Sequence, residues 1–400
     1  MTERAATVVG AGVASPAGSD LDELWRAVVE ARGTRAEVIP YEGFPDGGVL
    51  GCRAAGFEPA ERLERHELRR LDRVHQLAFW AADDALAAAG PGPEPERCAV
   101  VVGTGFGAAT FHEQQLRALH DRGFRAVSPL AIPVVMPNSV AGHLSLRHGF
   151  RGPSLSVATA CASGTDAIGE ALWLLRSGRA DRVLAGGVDS LHTIGVTASF
   201  ARLEAMSRRL DDPAASSRPF DADRDGFVLG EGAAFVVLER AADATGGLGR
   251  VLGHAATCDA HHLVAPPDDG GGAIACIRAA LADAGLEPDE VGHVNAHGTS
   301  TERNDLAEAT ALAAVFGERA VPVTATKGVT GHLIAAAGAL EAIVALRSIA
   351  ESTVPPIANL TCPDPALDHL VRTDERAPRS PTAVSTSFGF GGHDAALVLA

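Results

Sequence analysis

The chain has 400 residues, of which 46% are hydrophobic, 21% are charged and only 4% are aromatic. This length and composition predict a large core of Ala, Val, Leu and Ile, in two or three domains or in two fused halves of one fold. The formal net charge of -16 disfavours a broad surface that binds nucleic acid phosphates, and it disfavours membrane association through a basic face.

The sequence carries no targeting pattern that we recognise. No apolar stretch reaches the roughly 18 residues of a membrane span, and the N-terminus lacks the charged and apolar regions of a signal peptide. We therefore expect a cytoplasmic protein. The six cysteines are scattered without a C-x-x-C pair, which disfavours a disulfide framework or structural zinc site and favours one functional thiol in a reducing compartment.

Short β-type segments alternate with longer Ala- and Leu-rich helical segments, a pattern typical of layered α/β proteins. The predicted strands are residues 7–9, 99–102, 155–157, 182–185, 234–238, 291–295, 321–324 and 396–399. The predicted helices are residues 20–31, 73–89, 164–176, 271–284, 305–316 and 335–351. The weakest seam is the Ala- and Gly-rich segment 241–249, which divides the chain into predicted halves 1–248 and 249–400.

The two halves contain similar segments. Residues 156–161 lead from a predicted strand into a helix that ends in LLRS, and residues 323–327 lead into a helix that contains ALRS. Chance similarity in an Ala-rich chain is the alternative. A true repeat predicts two duplicated α/β halves with the functional site between them.

Cys161 lies among small residues where a strand is predicted to turn into a helix. Unpaired N–H groups at a helix N-terminus favour a thiolate and can bind an oxyanion. Most cysteines are small buried apolar residues, which is what we expect of the other five. The position of Cys161 instead predicts a nucleophile.

Two later strand ends carry further reactive residues. His297 follows one predicted strand, and Lys327 and His332 follow another. Loops at strand ends are where α/β proteins place catalytic groups, although most of the 15 histidines must have other roles. Lys327 is the only lysine among 34 Lys and Arg residues, which favours a chemical role because an ammonium differs from a guanidinium; chance is the alternative.

Specific motifs cover nearly the whole chain, from VVGAG at 8–12 to SFGFGG at 387–392. Further motifs between them are RGPS at 151–154, AGG at 185–187, SRPFD at 217–221, DGFV at 225–228 and GEG at 230–232. With these motifs the chain resembles the β-ketoacyl-acyl-carrier-protein synthases of the thiolase superfamily, especially the elongating type and the ketosynthases of type II polyketide synthesis. The resemblance implies a thiolase-like fold, with two duplicated α/β halves in a layered α-β-α-β-α sandwich.

The resemblance also implies a role for each matching catalytic residue. Cys161 is the implied nucleophile, and its backbone N–H is implied to form an oxyanion hole with that of Phe390, a gating residue. His297 and His332 are implied to hold the extender thioester and assist decarboxylation. Lys327 is implied to support this site electrostatically.

Five more residues receive implied roles around this centre. Asp305 and Glu308 match acidic residues behind the lysine, and Thr299 and Thr301 match residues that line the phosphopantetheine path. Phe106 corresponds to the floor of the acyl pocket, where its ring would shorten the pocket. Packing in the core is the alternative for Phe106.

The reaction implied by the resemblance is a decarboxylative Claisen condensation. The acyl chain on Cys161 joins the enolate formed when malonyl-acyl-carrier protein loses carbon dioxide, which gives 3-oxoacyl-acyl-carrier protein in fatty-acid or type II polyketide biosynthesis. A covalent intermediate divides the reaction, and preorganised donors stabilise the negative charge. No metal or cofactor is implied, because the phosphopantetheine of the carrier holds the substrates.

The implied partners are acyl carrier protein and a second ketosynthase-like chain, either an identical copy or a chain-length-factor-like subunit. The densest basic cluster includes Arg65, Arg69 and Arg70 and matches the family's carrier-docking surface, where arginines would pair with carboxylates. The alternative is a solvated helix face with internal Glu–Arg pairs.

Three positions depart from the usual pattern and indicate a specialised pathway: Glu302, the pair at 328–329, and the end of the segment 391–394. Four other functions compete with condensation. A silent chain-length-factor-like subunit or a decarboxylase would lack the nucleophile. A coenzyme-A thiolase needs a second cysteine in a C-terminal loop, and Cys362 lies outside one. A cysteine hydrolase would need water at the acyl-enzyme.

Overall fold

The computed structural model of the chain describes residues 4–41, 43–44, 47–244 and 246–400. Residues 1–3 at the N-terminus and residue 245 in the predicted seam lie outside the described residues. The strands are β1 (Ala6–Ala14), β2 (Glu37–Pro40), β3 (Gly48–Cys52), β4 (Cys98–Gly103), β5 (Ser154–Val157), β6 (Arg182–Asp189), β7 (Leu229–Gly230), β8 (Gly232–Arg240), β9 (Gly249–Cys258), β10 (His293–Asn295), β11 (Val323–Thr324), β12 (Ala383–Gly389) and β13 (His393–Leu399).

The α-helices lie between these strands, and in the described residues none is long and apolar enough to cross a membrane. They are α1 (Leu21–Val29), α2 (Arg65–Arg70), α3 (Arg73–Ala89), α4 (Ala109–Arg122), α5 (Ala131–Val135), α6 (Ser139–His148), α7 (Ser163–Arg176), α8 (Ile194–Arg202), α9 (Gly271–Ala284), α10 (Glu302–Phe316), α11 (Lys327–Thr330), α12 (Ala335–Ala350) and α13 (Pro365–Asp368).

Ten strands form one mixed sheet in the order β11-β10-β12-β13-β9-β1-β8-β6-β4-β5. Outward from its centre, the first half runs β1, β8, β6, β4 and β5, with two antiparallel pairings followed by two parallel ones. The second half runs β9, β13, β12, β10 and β11 with the same sequence of pairings. Since β5 and β11 hold equivalent places, the predicted duplication of the two halves is confirmed.

The helices pack in layers on these two sheet halves. The central helices α7 and α12 contact each other and strands of both halves. On the outer face of the first half α3 packs on β1 and β8, and on that of the second half α9 packs on β9 and β13 with α10 beside it. This arrangement is the α-β-α-β-α sandwich that the resemblance predicted.

Local sequence signals explain the helices that matter for the site. Helix α3 begins where the Asp72 side chain accepts a hydrogen bond from the N–H of Val74, and it ends at Gly90 with a φ of 69°. Helix α12 is buried almost all around, as its Ala-rich sequence predicts for a helix between two sheets. Its charged side chains therefore need partners inside the protein.

Candidate active site

Cys161 lies in a tight turn between β5 and α7. Ala160 has a φ of 50°, a left-handed conformation that an alanine adopts only at a cost in free energy. Ser163 stabilises the turn, because its hydroxyl donates to the carbonyl oxygen of Ala160 at 2.6 Å and accepts from the N–H of Thr159 at 2.9 Å. The turn therefore holds the cysteine at the start of a buried helix, as the sequence predicted.

Two backbone N–H groups act on the thiol of Cys161, its own and that of Phe390. Phe390 comes this close because a Cβ on Gly389 would lie 2.6 Å from the carbonyl oxygen of Thr159 and 3.2 Å from the nitrogen of Cys161, so only glycine fits there. Burial nevertheless dominates and raises the pKa of the Cys161 thiol to about 12, while Lys327 opposes this effect. The free enzyme thus holds a neutral thiol rather than the thiolate expected from the helix N-terminus.

The two predicted histidines meet at this thiol. His332 Nε2 lies 3.1 Å from Cys161 Sγ, and the rings of His332 and His297 are 5.3 Å apart and nearly perpendicular. The N–H of Ile334 donates to His332 Nδ1 at 3.3 Å, which places the proton of a neutral ring on Nε2. Burial, followed by the charge of Lys327, lowers the pKa of both histidines well below 6.5, so both are neutral.

Lys327 stands directly behind His297. Its ammonium donates to the carbonyl oxygen of His297 at 2.5 Å and lies 3.2 Å from Nδ1 of the same ring. A donor at Nδ1 leaves the proton of a neutral His297 on Nε2. His297 and His332 therefore both present an Nε2–H as a hydrogen-bond donor.

The acidic partner of Lys327 is Glu341 on α12, a residue that the sequence analysis missed. Its carboxylate lies 2.5 Å from the ammonium, and both side chains are 1% exposed. Glu341 also accepts from the hydroxyl of Thr326 at 3.2 Å. The signal in the sequence was a carboxylate within a long, Ala-rich helix, because such a group is rarely buried without a cation.

Neither of the two acids implied behind the lysine, Asp305 and Glu308, forms an ion pair with its ammonium within the described residues, and their supporting role stays a prediction. Glu308 accepts from the N–H groups of His297 and Gly298, each at 2.8 Å, and so fixes the loop that carries the histidine. Asp305 accepts from the N–H of Phe220 at 2.9 Å. Both reside on α10, which starts just after that loop, whereas α12 lies directly beside the lysine.

A second buried carboxylate, Asp189 at the end of β6, also escaped the sequence analysis. It accepts from the N–H of Ala335 at 3.1 Å and from that of Gly105 at 2.9 Å. Burial raises its pKa to about 6. Asp189 thus fastens the start of α12, three residues after His332, to the loop that follows β4.

A cavity of about 610 Å³ opens onto Cys161, His297 and His332. Thr299 and Thr301 line it, as expected for residues along a substrate path, and their hydroxyls are 2.8 Å apart. The predicted gating residue, Phe390, lines the cavity as well. The described part of the chain therefore gives one connected space between these threonines and the thiol.

Phe106 is not part of this lining within one chain. Its side chain is 56% exposed, so the alternative of core packing is wrong. The backbone of this loop is tied to Asp189, which accepts from the N–H of Phe106 at 3.4 Å. A place at the floor of the acyl pocket stays a prediction that needs a second chain to cover the ring.

The predicted docking arginines lie together on α2. Arg65, Arg69 and Arg70 are exposed, and within the described ranges none has a carboxylate oxygen within 4.0 Å. Glu67 of the same helix pairs with Arg147 instead, at 3.4 Å. The internal Glu–Arg pairs of the alternative interpretation are therefore absent from this part of the structure, and the three guanidinium groups are available to a partner.

A cysteine, two histidines and a lysine that converge between two duplicated α/β halves define an enzyme of the thiolase-like fold. Residues 3–244 match the family model for the N-terminal domain of β-ketoacyl synthases, and residues 248–361 match that for the C-terminal domain. The chain therefore belongs to the β-ketoacyl synthase family, and the predicted family and acyltransferase class are confirmed.

Individual relatives agree with the family models over full length. The chain is 38% identical to 3-oxoacyl-(acyl-carrier-protein) synthase 2 of Synechocystis sp. over 407 residues, which covers 99% of this chain and 98% of the relative. A type II PKS acyl-carrier protein in complex with its ketosynthase bound to the hexaketide matches with a TM-score of 0.88 and 29% identity, covering 99% of each chain. The ishigamide ketosynthase/chain length factor matches with a TM-score of 0.88, 30% identity and 99% coverage of each chain.

Proposed function

We propose that this chain catalyses the decarboxylative condensation of an acyl group on Cys161 with malonyl-acyl-carrier protein. The observation that carries the proposal is the approach of His332 Nε2 to within 3.1 Å of Cys161 Sγ, beside a second neutral histidine. This arrangement supplies a nucleophile together with two N–H donors in a buried cavity. The product is 3-oxoacyl-acyl-carrier protein.

The first half-reaction transfers the acyl group. The sulfur of Cys161 attacks the thioester carbonyl of the acyl carrier, and the backbone N–H groups of Cys161 and Phe390 stabilise the tetrahedral oxyanion. The bond to the carrier sulfur then breaks, and the thiol proton leaves with that carrier thiol. Because the thiol is neutral at rest, its proton is lost as the attack proceeds.

The second half-reaction loses carbon dioxide. The carboxylate of malonyl carrier leaves as CO2, and the Nε2–H groups of His297 and His332 hold the enolate oxygen that forms. The enolate carbon attacks the thioester on Cys161, and the carbon–sulfur bond breaks to release the 3-oxoacyl carrier. The cysteine thiolate then takes a proton from solvent.

The chemistry proposed here uses no metal, although the donor set would suit one. Donor atoms of Cys161, His297 and His332 lie within 4.8 Å of one another, and such a trio can bind zinc. The ammonium of Lys327 is 3.2 Å from the His297 ring, however, and this charge opposes a dication on the same ring. The phosphopantetheine arm of the carrier brings the substrates, so no further cofactor is needed.

The four alternatives fit this site less well. A silent subunit or a decarboxylase has no use for a cysteine held against a histidine and two N–H donors. A thiolase requires a second cysteine, and Cys161 is the sole cysteine among the described residues that line the cavity. A hydrolase would need a base for water, whereas both histidines act here as donors.

We also propose two partners. Acyl carrier protein would bind the exposed arginines of α2, since a carrier that is acidic complements an uncompensated basic helix. A second ketosynthase-like chain would pair along β5, which is the edge strand of the first half of the ten-stranded sheet. Exposed apolar side chains on β5 and between β4 and β5 in the chain, including Leu155, Phe106 and Ile132, support that interface.

Intact-protein mass spectrometry tests the proposed function. The chain is mixed with a panel of acyl carrier thioesters and then with malonyl carrier. We expect a mass increase on Cys161 that disappears as 3-oxoacyl carrier forms. Absence of acylation by every donor, both alone and with a chain-length-factor-like subunit, would refute the proposal.

A further inference from the structure

Two carboxylates, Asp259 and Asp394, line the active-site cavity and take no part in the mechanism above. Asp394 is the last residue of the C-terminal segment that departs from the usual family pattern. Its side chain is only 4% exposed, and its Oδ2 atom has no hydrogen-bond partner in the described residues. A buried carboxylate oxygen without a donor is costly, so it requires an explanation.

The explanation lies in the position of the second carboxylate. Oδ1 of Asp259 is likewise buried and without a donor. If Gly272 at the start of α9 carried a Cβ, this atom would lie 1.8 Å from Oδ1 of Asp259 and 2.5 Å from Oδ2 of Asp394. The two carboxylate oxygens therefore lie close to the same point. Two carboxylate oxygens this close satisfy each other only when one of them carries a proton.

Residues 390–392, between β12 and β13, form a short segment with two glycines, which we call the glycine segment. It carries the oxyanion donor of Phe390, and the carboxylate pair is joined to it. The N–H of Asp259 donates to the carbonyl oxygen of Gly392 at 2.8 Å. The N–H of Gly391 donates to the carbonyl oxygen of Leu263, in the loop that follows Asp259, at 2.7 Å. These two hydrogen bonds connect Asp259 and the loop after it to the segment between β12 and β13.

We propose that Asp259 and Asp394 share one proton, and that this proton holds the glycine segment in the position where the N–H of Phe390 faces the thioester on Cys161. The pair acts as a positioning device and does not touch the reacting atoms. When the proton is lost, two adjacent negative charges repel each other and the segment is released. The predicted effect on condensation rests on the proposed function, whereas the predicted effect on thermal unfolding does not.

The surroundings of the pair contain little that could replace the proton. His261 and Asp269 act on Asp259 from the loop before α9, and Cys276 faces Asp394 from α9. Cys276 stays a neutral thiol because burial raises its pKa to about 12. Two histidines are near in the chain: His262 lines the cavity, and His393 precedes Asp394 on β13. The residue paired with Asp394 on β12 is Phe388, which carries no charge.

The direction of the pH effect follows from burial. Burial, followed by the charge of Asp259, raises the pKa of Asp394 from 3.8 to about 8. The folded protein thus keeps the proton at a pH where the unfolded chain has lost it. The resulting contribution to stability is complete below about pH 4 and is lost as the pH rises to about 8.

The test uses Asp394→Asn, in which an amide N–H replaces the shared proton at every pH. Condensation by the unaltered enzyme, measured from preformed acyl-enzyme, should fall about tenfold for each pH unit above roughly 8. The profile of Asp394→Asn should stay flat there. Asp268→Asn is the matched control, since it removes an exposed carboxylate of the same loop and should keep the profile of the unaltered enzyme.

Thermal unfolding gives a readout that does not need activity. As the pH rises from about 5 to about 9, the unfolding temperature of the unaltered protein should fall by more than that of Asp394→Asn. Asp259→Asn, at the less buried member of the pair, should reproduce this result if the first variant does not fold. The proposal would be overturned if the unfolding temperatures of the unaltered and variant proteins changed with pH in parallel. It would also be overturned if Ca²⁺ or Mg²⁺ raised the unfolding temperature and Asp394→Asn abolished this rise, because the pair would then be a cation site.

Discussion

The buried ion pair of Lys327 and Glu341 allows the stability and the chemistry of the site to be separated. At 2.5 Å and an effective dielectric constant of about 20, the two charges attract each other by roughly 6 to 7 kcal/mol. Removing one partner leaves the other buried and unpaired, which costs about 3 to 5 kcal/mol. We therefore expect Lys327→Met to lower the free energy of unfolding by about that amount, and the double variant with Glu341→Met to regain most of it.

Activity should not follow stability in this series. Without the ammonium at Nδ1, the His297 ring no longer has its proton fixed on Nε2, so decarboxylation should fall about 10²- to 10³-fold in the single and the double variant. Acylation of Cys161 should persist in both. Denaturant unfolding and CO2 release from malonyl carrier measure the two effects. Two results would refute this reasoning: a free energy of unfolding for Lys327→Met within about 1 kcal/mol of that of the unaltered protein, or normal decarboxylation by the double variant.

Three further predictions concern the nucleophile, its histidine and the carrier. Cys161→Ala should abolish acyl-enzyme formation, and labelling that persisted in the mass spectrum would place the nucleophile elsewhere. His332→Ala should still be acylated but should lose about 10²-fold or more in decarboxylation; unchanged condensation would contradict its role as a donor. Reversal of Arg65, Arg69 and Arg70 to Glu should raise the apparent KM for carrier-bound substrates more than it lowers kcat. Equal kinetics before and after reversal would return α2 to an ordinary solvated helix.

Much of the fold followed from periodicity and composition. Helices α3 and α9 have the predicted bounds, because each is a long amphipathic or Ala-rich run with a clear start and a glycine at its end. Strands β9 and β12 escaped prediction. Their sequences, GRVLGHAATC and AVSTSFG, are rich in small and polar residues, and they become strands through pairing with distant segments rather than through their own propensity.

The four residues that converge at the candidate site were predictable, whereas the buried groups that hold them in place were not. Cys161, His297, Lys327 and His332 each follow a strand next to small residues, which is a local signal. The contact between Lys327 and Glu341 depends on how α12 packs, and no local pattern encodes it. Only the duplicated topology brings the cysteine turn of one half against the histidine segment of the other.

That duplication has a consequence for how the enzyme divides its chemistry. In the proposed reaction, the turn after β5 supplies the sulfur that carries the acyl group, and its counterpart after β11 supplies the lysine that orients a proton donor. Turns at equivalent places in the two halves would thus serve as a covalent tether and as an electrostatic support. Neither copy is a complete catalyst by itself, so any motion of one half against the other would change the distance between thiol and imidazole directly.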